Sequence, residues 1–200
     1  MPTVVQTREV REALLDATDR LLSERGYQKM TIDDLAREVG IGKGSVYLHF
    51  SSKEEIALSH IDRIVERLKD HLKIIAGKNI SQEAKLREML LMRVLFRFDS
   101  VQHYTQSLND LLSSLRPKLL ARRENYFAEE AAIFAEVIER GQAEGDFEDG
   151  DPIETANTFL LATNSLLPFS LTTEELGARE DIETKTLRLA KLLIRGIKKN

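Results

Sequence analysis

The sequence predicts an all-α protein, and three observations carry that expectation. Apolar residues recur at i, i+3, i+4 and i+7 along most of the 200 residues, the spacing that lines one face of a helix. Proline and glycine are scarce, at four and ten residues, while Asp, Glu, Lys and Arg make up 31% of the chain, as solvated helix faces require. Several apolar runs follow a Ser, Thr or Asp that has an acidic residue three positions on, the signature of a capped helix start.

Taken in order, Arg8 to Arg25 reads as a first helix striped by Val10, Leu14, Ala17, Leu21 and Leu22, with Gly26 as its stop. Residues 1–7 read as a loose arm without a basic residue. Thr31 caps a second helix, with Asp34 answering it at the third position, and Ile32, Leu35, Ala36 and Val39 form its stripe. Gly40 is suited to the left-handed turn that ends it, and Ile41 tucks under the corner. A third helix runs from about Lys43 to Phe50, turning Val46 and Phe50 inward and leaving Lys43, Ser45, Tyr47 and His49 outside. Ser52 and Glu55 cap a fourth, from Lys53 to near Gly77, with Ile61, Ile64, Leu68, Leu72 and Ile75 on one face. Its length of about 34 Å suits a rigid lever between two domains.

Ser81 caps a fifth helix reaching about Phe98. A sixth is expected over about Val101 to Leu115, and Pro117 in the first turn of a seventh that runs to about Glu144. Asp151, Pro152 and Glu154 supply cap, first position and third position of an eighth helix. Thr172 to Ala178 reads as a turn or loop, and a ninth helix covers about Ile182 to Lys198.

Two short helices joined at a glycine corner, followed at once by a third helix, form the geometry that seats a helix in the DNA major groove. The residues R-G-Y, T-I-D-D-L-A, G-I-G-K-G-S-V-Y-L-H-F and S-K-E-E make the first quarter of the chain resemble the TetR family of bacterial transcriptional regulators. Beyond it the likeness rests on helical character and on I-E-R-G-Q-A-E-G-D-F. The resemblance implies a helix-turn-helix domain over residues 1–52 and an effector-binding and dimerisation domain over 53–200. It implies a homodimeric repressor on a palindromic double-stranded DNA operator, released by a small-molecule effector. It places Lys43, Gly44 and Ser45 at base edges and Tyr47 and His49 on phosphates, with Thr31 and Lys53 as further phosphate contacts.

In the larger domain, Met92, Phe96, Tyr104, Tyr126 and Phe134 offer aromatic and flexible apolar surface for an effector. Arg93, Glu130, Asn157 and Asn164 are polar groups beside the apolar stripes. They are suited equally to orienting a ligand and to hydrogen bonds across a dimer interface. The dimer seam is expected at Leu160 and Leu167 with Leu187, Ala190, Leu193, Ile194 and Ile197. A DNA-binding dimer without an effector cavity, controlled by a protein partner or organising chromosomes, is the alternative reading.

Net charge is −4, and residues 1–50 hold seven basic against eight acidic side chains. Attraction to DNA must therefore come from local placement, and non-specific affinity is expected to be modest. No catalytic residue, cofactor or metal site is expected. Phosphate loops and G-x-S-x-G elbows are absent from the sequence, cysteine is absent too, and of the evenly spaced His49, His60 and His71 the last two share a helix face but stand about 16 Å apart, too far to share one ion. The lack of a long apolar run and of a signal-like start gives the expectation of a cytoplasmic protein.

Overall fold

The computed structural model describes residues 4–102, 108–167 and 177–199, and these are almost entirely helical. The helices are α1 (Val4–Lys29), α2 (Ile32–Val39), α3 (Lys43–Tyr47), α4 (Lys53–Ala76), α5 (Gln82–Val101), α6 (Leu108–Glu144), α7 (Pro152–Thr163) and α8 (Arg179–Ile197). A 3₁₀ turn, Asn164–Leu166, follows α7. None of the described helices is long and apolar enough to cross a membrane.

Helix starts follow the caps. Thr31 and Asp34 form a reciprocal capping box on α2, Ser81 accepts from the Ala84 N–H on α5, and Asp151 accepts from two N–H groups with Pro152 opening α7. Four expectations need correction. Helix α1 begins at Val4 and is interrupted at Gly26 (φ 77°, ψ 166°) rather than ended there. Helix α3 stops at Tyr47, though the His49 and Phe50 N–H groups still bond to the Val46 carbonyl at 3.0 and 3.1 Å. Helix α5 runs on to Val101. The expected sixth and seventh helices are one helix, α6, with Pro117 inside it. An interior proline costs about 3 kcal/mol, and burying Leu111 and Leu115 just before it, at about 1.5–3 kcal/mol each, is enough to offset that. Most of the turn expected at Thr172 to Ala178 lies outside the described residues.

The chain divides into two compact units. The first contains Met1–Ile64 and His103–Leu119. Its core comes from α1 through the start of α4, with Leu14, Leu15, Leu35, Val46 and Ile56 fully buried. The second contains Val65–Gln102 and Leu120–Asn200. Its larger core joins Leu68 and Leu72 of α4, Met89 and Leu90 of α5, Phe134 and Ile138 of α6, Phe159 and Leu160 of α7, and Ala190 and Ile194 of α8. A smaller cluster gathers Val94, Phe98, Leu167 and Ile182.

The I-E-R-G-Q-A-E-G-D-F segment now has a physical reading. The chain doubles back after α6, and the N–H groups of Asp146 and Phe147 both bond to the Gly141 carbonyl, at 2.8 and 3.2 Å. The Phe147 ring is buried directly against Gly141, where any Cβ would overlap it. Backbone bonds from Glu148 to Ile197 and from Lys199 to Asp146 tie this turn to the end of α8.

Candidate nucleic-acid interface

The corner between α2 and α3 is built from local chemistry. Gly40 closes α2 in the left-handed conformation (φ 75°), a region costly for residues with a Cβ, and its N–H meets the carbonyls of Ala36 and Arg37. Gly42 then caps α3 in extended conformation. Val46 and Phe50 enter the core, so the rest of α3 faces away from it. Lys43 and Gly44 are exposed, and Ser45 and His49 are half-buried. Tyr47 is 50% exposed and Leu48 81% exposed. A Cβ on Gly44 would meet nothing within 4 Å, so no part of the chain itself requires glycine there. Arg11 sits 4.9 Å above the Phe50 ring, covering the inner side of the same segment.

The charges around this corner are paired. Lys43 Nζ donates to Asp33 Oδ2 at 2.7 Å, and the hydrogen bond and charge of Asp33 hold its ammonium above the usual lysine range. Asp34 accepts from the Thr31 backbone and hydroxyl and pairs with Arg25 and Arg37 at 3.1 Å. The Thr31 hydrogen bond, followed by those arginines, keeps its carboxyl below the usual range. Thr31 is thus engaged first in capping α2. Lys53, expected on phosphate, is turned inward. Its Nζ donates to the Tyr27 carbonyl at 3.0 Å and lies 4.5 Å from the Tyr27 ring, and burial pushes it below the usual lysine range. An ammonium that covers carbonyls at the end of α1 is a helix-end cation.

In the second unit the expected effector residues separate into two groups. Met92 and Phe96 line an open cleft of about 600 Å³ together with His71, Ile75, Leu91 and Leu95. The ion pairs Lys78–Glu88 and Arg179–Asp99, at 2.6 and 2.9 Å, stand at its edge. Arg93, Glu130 and Asn164 instead bond to one another inside the protein. Arg93 donates to Glu130 at 2.9 Å, to the Thr163 hydroxyl at 2.7 Å, to Asn164 at 2.9 Å and to the Leu160 carbonyl at 3.3 Å. Arg97 also donates to Glu130. Burial, then the charge of Arg97, lowers the Arg93 guanidinium to about 10, so it stays charged at neutral pH. Burial alone would raise the Glu130 carboxyl, but the two arginines more than offset it and the net shift is downward. Phe134 is wholly in the core, Tyr126 and Asn157 are half-buried, and Tyr104 lies outside the described residues.

The residues of the expected dimer seam also separate into two groups. Leu160, Leu167, Ala190 and Ile194 are buried within the single chain, and Leu193 and Ile197 pack against the same core. The four buried residues are occupied within the single chain, whereas Leu193 and Ile197 are half-buried and keep part of their surface exposed. On α7 and α8 the apolar side chains left in solvent are Leu161 at 63%, Leu192 at 69%, Ile153 and, from the expected set, Leu187. Asp33, Leu48, Arg97 and Thr163 were missed from sequence. Only Arg97 left a trace, its spacing of four from Arg93.

Among the described residues no group of three or more His, Asp or Glu is placed to hold a metal ion.

Residues 14–59 match the model of the family described as bacterial regulatory proteins, tetR family. An uncharacterized HTH-type transcriptional regulator of Lactococcus lactis is 38% identical over 88 residues, 44% of this chain and 45% of that protein. The HTH-type transcriptional repressor KstR2 of Rhodococcus jostii is 29% identical over 160 residues, 76% of this chain and 75% of the relative. For several of these relatives the chain matches less than half of their length. A TetR-family regulator structure from Pectobacterium atrosepticum superposes with a TM-score of 0.78 at 18% identity, over 100% of this chain and 99% of the other, a likeness of fold.

Proposed function

This chain belongs to the TetR family of bacterial transcription regulators, DNA-binding proteins of the helix-turn-helix type, and we propose that it is a homodimeric repressor released from a palindromic operator by a small, largely apolar effector. The observation that carries the DNA side is the exposed polar face of α3, held over a closed core by the Gly40 corner. Lys43 is suited to guanine O6 or N7, Gly44 to close backbone approach, and Tyr47 and His49 to phosphate oxygens. The KstR2 relative carries the name of a repressor, which supports repression here.

The effector side rests on the cleft of about 600 Å³ with walls of Ile75, Leu91, Met92, Leu95 and Phe96, a volume in the range of small-molecule sites. Dimerisation rests on the exposed leucines of α7 and α8. Helices α4 and α6 each contribute residues to both units, which makes them the elements through which an effector would act on DNA affinity.

The test begins with selection of duplexes from a random pool. An inverted repeat with half-sites about 34–36 Å apart is expected, and selection of a single unrepeated site would overturn the dimeric reading. A panel of apolar and aromatic compounds is then titrated calorimetrically with and without the selected duplex. DNA is expected to weaken the binding of an effector about 5–150-fold, by the same factor that the effector weakens DNA. Equal affinity in both titrations would refute release by an effector.

A further inference from the structure

Three acidic residues lie on α2, and all are paired, but to different kinds of partner. Asp34 holds the Thr31 cap with Arg25 and Arg37, and Glu38 holds Arg20 at 2.9 Å. Those contacts stay within the scaffold of α1 and α2. Asp33 alone among the three reaches across to α3, where it takes the Lys43 ammonium at 2.7 Å with both side chains more than half exposed.

We propose that Asp33 is a specificity-determining residue, which neutralises Lys43 toward the phosphate backbone while aiming its free N–H groups at base edges. The inference rests on the reading of α3 as the recognition helix. An ammonium has three donors. One is on Asp33, which leaves two for acceptors such as guanine O6 and N7. Those are short-range, directional hydrogen bonds, which a neighbouring opposite charge weakens less than it weakens the long-range attraction to phosphates. Attraction to phosphates is different, because it depends on net charge over a Debye length of about 8–10 Å. At that range the Asp33–Lys43 pair is neutral. Electrostatic attraction supplies essentially all non-specific binding, so Asp33 trims the affinity for any DNA and spares the affinity for the right DNA. The overall balance acts in the same direction, with seven basic against eight acidic residues in the first fifty.

The experiment compares the full chain with Asp33→Asn, Lys43→Ala and the double variant. Each is titrated against a random-sequence duplex and a duplex selected by the unmodified protein, at about 50 to 200 mM salt. Asp33→Asn is expected to tighten binding to the random duplex about twofold to fivefold per recognition helix. It should steepen the log–log salt dependence by about 0.9 per helix. Binding to the selected duplex should rise less, so the specificity ratio falls. In the Lys43→Ala background Asp33→Asn still removes one negative charge, so a similar gain on the random duplex is expected there, but the fall in the specificity ratio should disappear. An unchanged random-duplex affinity and salt slope would overturn the proposal. Persistence of the fall in the specificity ratio without Lys43 would do the same, since Asp33 would then not act through Lys43. Lost stability lowers affinity for both duplexes, opposite to the gain expected, and thermal unfolding of each variant records it. If Lys43→Ala alone leaves both duplexes unaffected, it is the recognition-helix reading that fails, and this proposal with it.

Discussion

Replacing Glu130 with Gln takes away the carboxylate that Arg93 and Arg97 share, at a place where Glu130 is 1% and Arg93 2% exposed. Two guanidiniums would then remain buried without an opposite charge between them. Breaking a buried pair by removing one partner costs about 3–5 kcal/mol. Arg97→Leu deletes a member of the same cluster but leaves the neutral Arg93–Glu130 pair intact. It loses charge-assisted hydrogen bonds worth about 1.5–3 kcal/mol and gains apolar burial of similar size, so its net cost is about 1 kcal/mol or less. The two variants should differ by at least about 2 kcal/mol. In urea, with a slope of about 2 kcal/mol per molar, that is a gap of about 1 M between midpoints, read by circular dichroism at one protein concentration. Equal destabilisation by the two would refute the reasoning, because it would mean that hydrogen bonds rather than charge balance set the cost. The pH dependence supplies a second reading. The Glu130 carboxyl is depressed on folding, so its contribution is present above the ordinary carboxylate range and lost as pH falls through the folded value. The gap between the unmodified protein and Glu130→Gln should therefore narrow in acid.

Gly141→Ala places a Cβ on the buried Phe147 ring, and overpacking of this kind costs about 1–3 kcal/mol; an unchanged thermal midpoint would refute that close approach. Leu192→Glu alters a side chain that is 69% exposed, so the monomer should stay folded while sedimentation shifts toward monomer and DNA affinity falls. A dimer of unchanged strength would mean that the seam excludes Leu192.

The α-helical class, the corner at Gly40 and the starts of α2, α4, α5 and α7 were legible in the sequence because their causes act within about four residues. Thr31 caps α2 through Asp34 three positions on, and Asp151 caps α7 through N–H groups two and three positions on. Apolar spacing also showed which residues of α2 and α3 turn inward. Pro117 shows the limit of such signals, since its local preference for a helix start yields to the packing of Leu111 and Leu115.

The candidate sites were legible only as residue types. Arg93 and Glu130 stood out as polar groups among apolar stripes, but their mutual bond joins positions 37 residues apart, and the bond to Asn164 spans 71. Lys53 reads as a surface cation until the end of α1 brings the Tyr27 carbonyl to its Nζ, 26 residues away. Leu160 and Leu161 are equivalent in sequence, yet one is fully buried and the other 63% exposed. The sequence by itself determined where α2, α4, α5 and α7 begin, which of their faces are apolar and that its first quarter resembles the TetR family, because capping, periodicity and motif are local properties. The tertiary structure decided which charge meets which and which leucines remain for a partner, because those depend on how helices distant in the chain pack, and no residue carries that information alone.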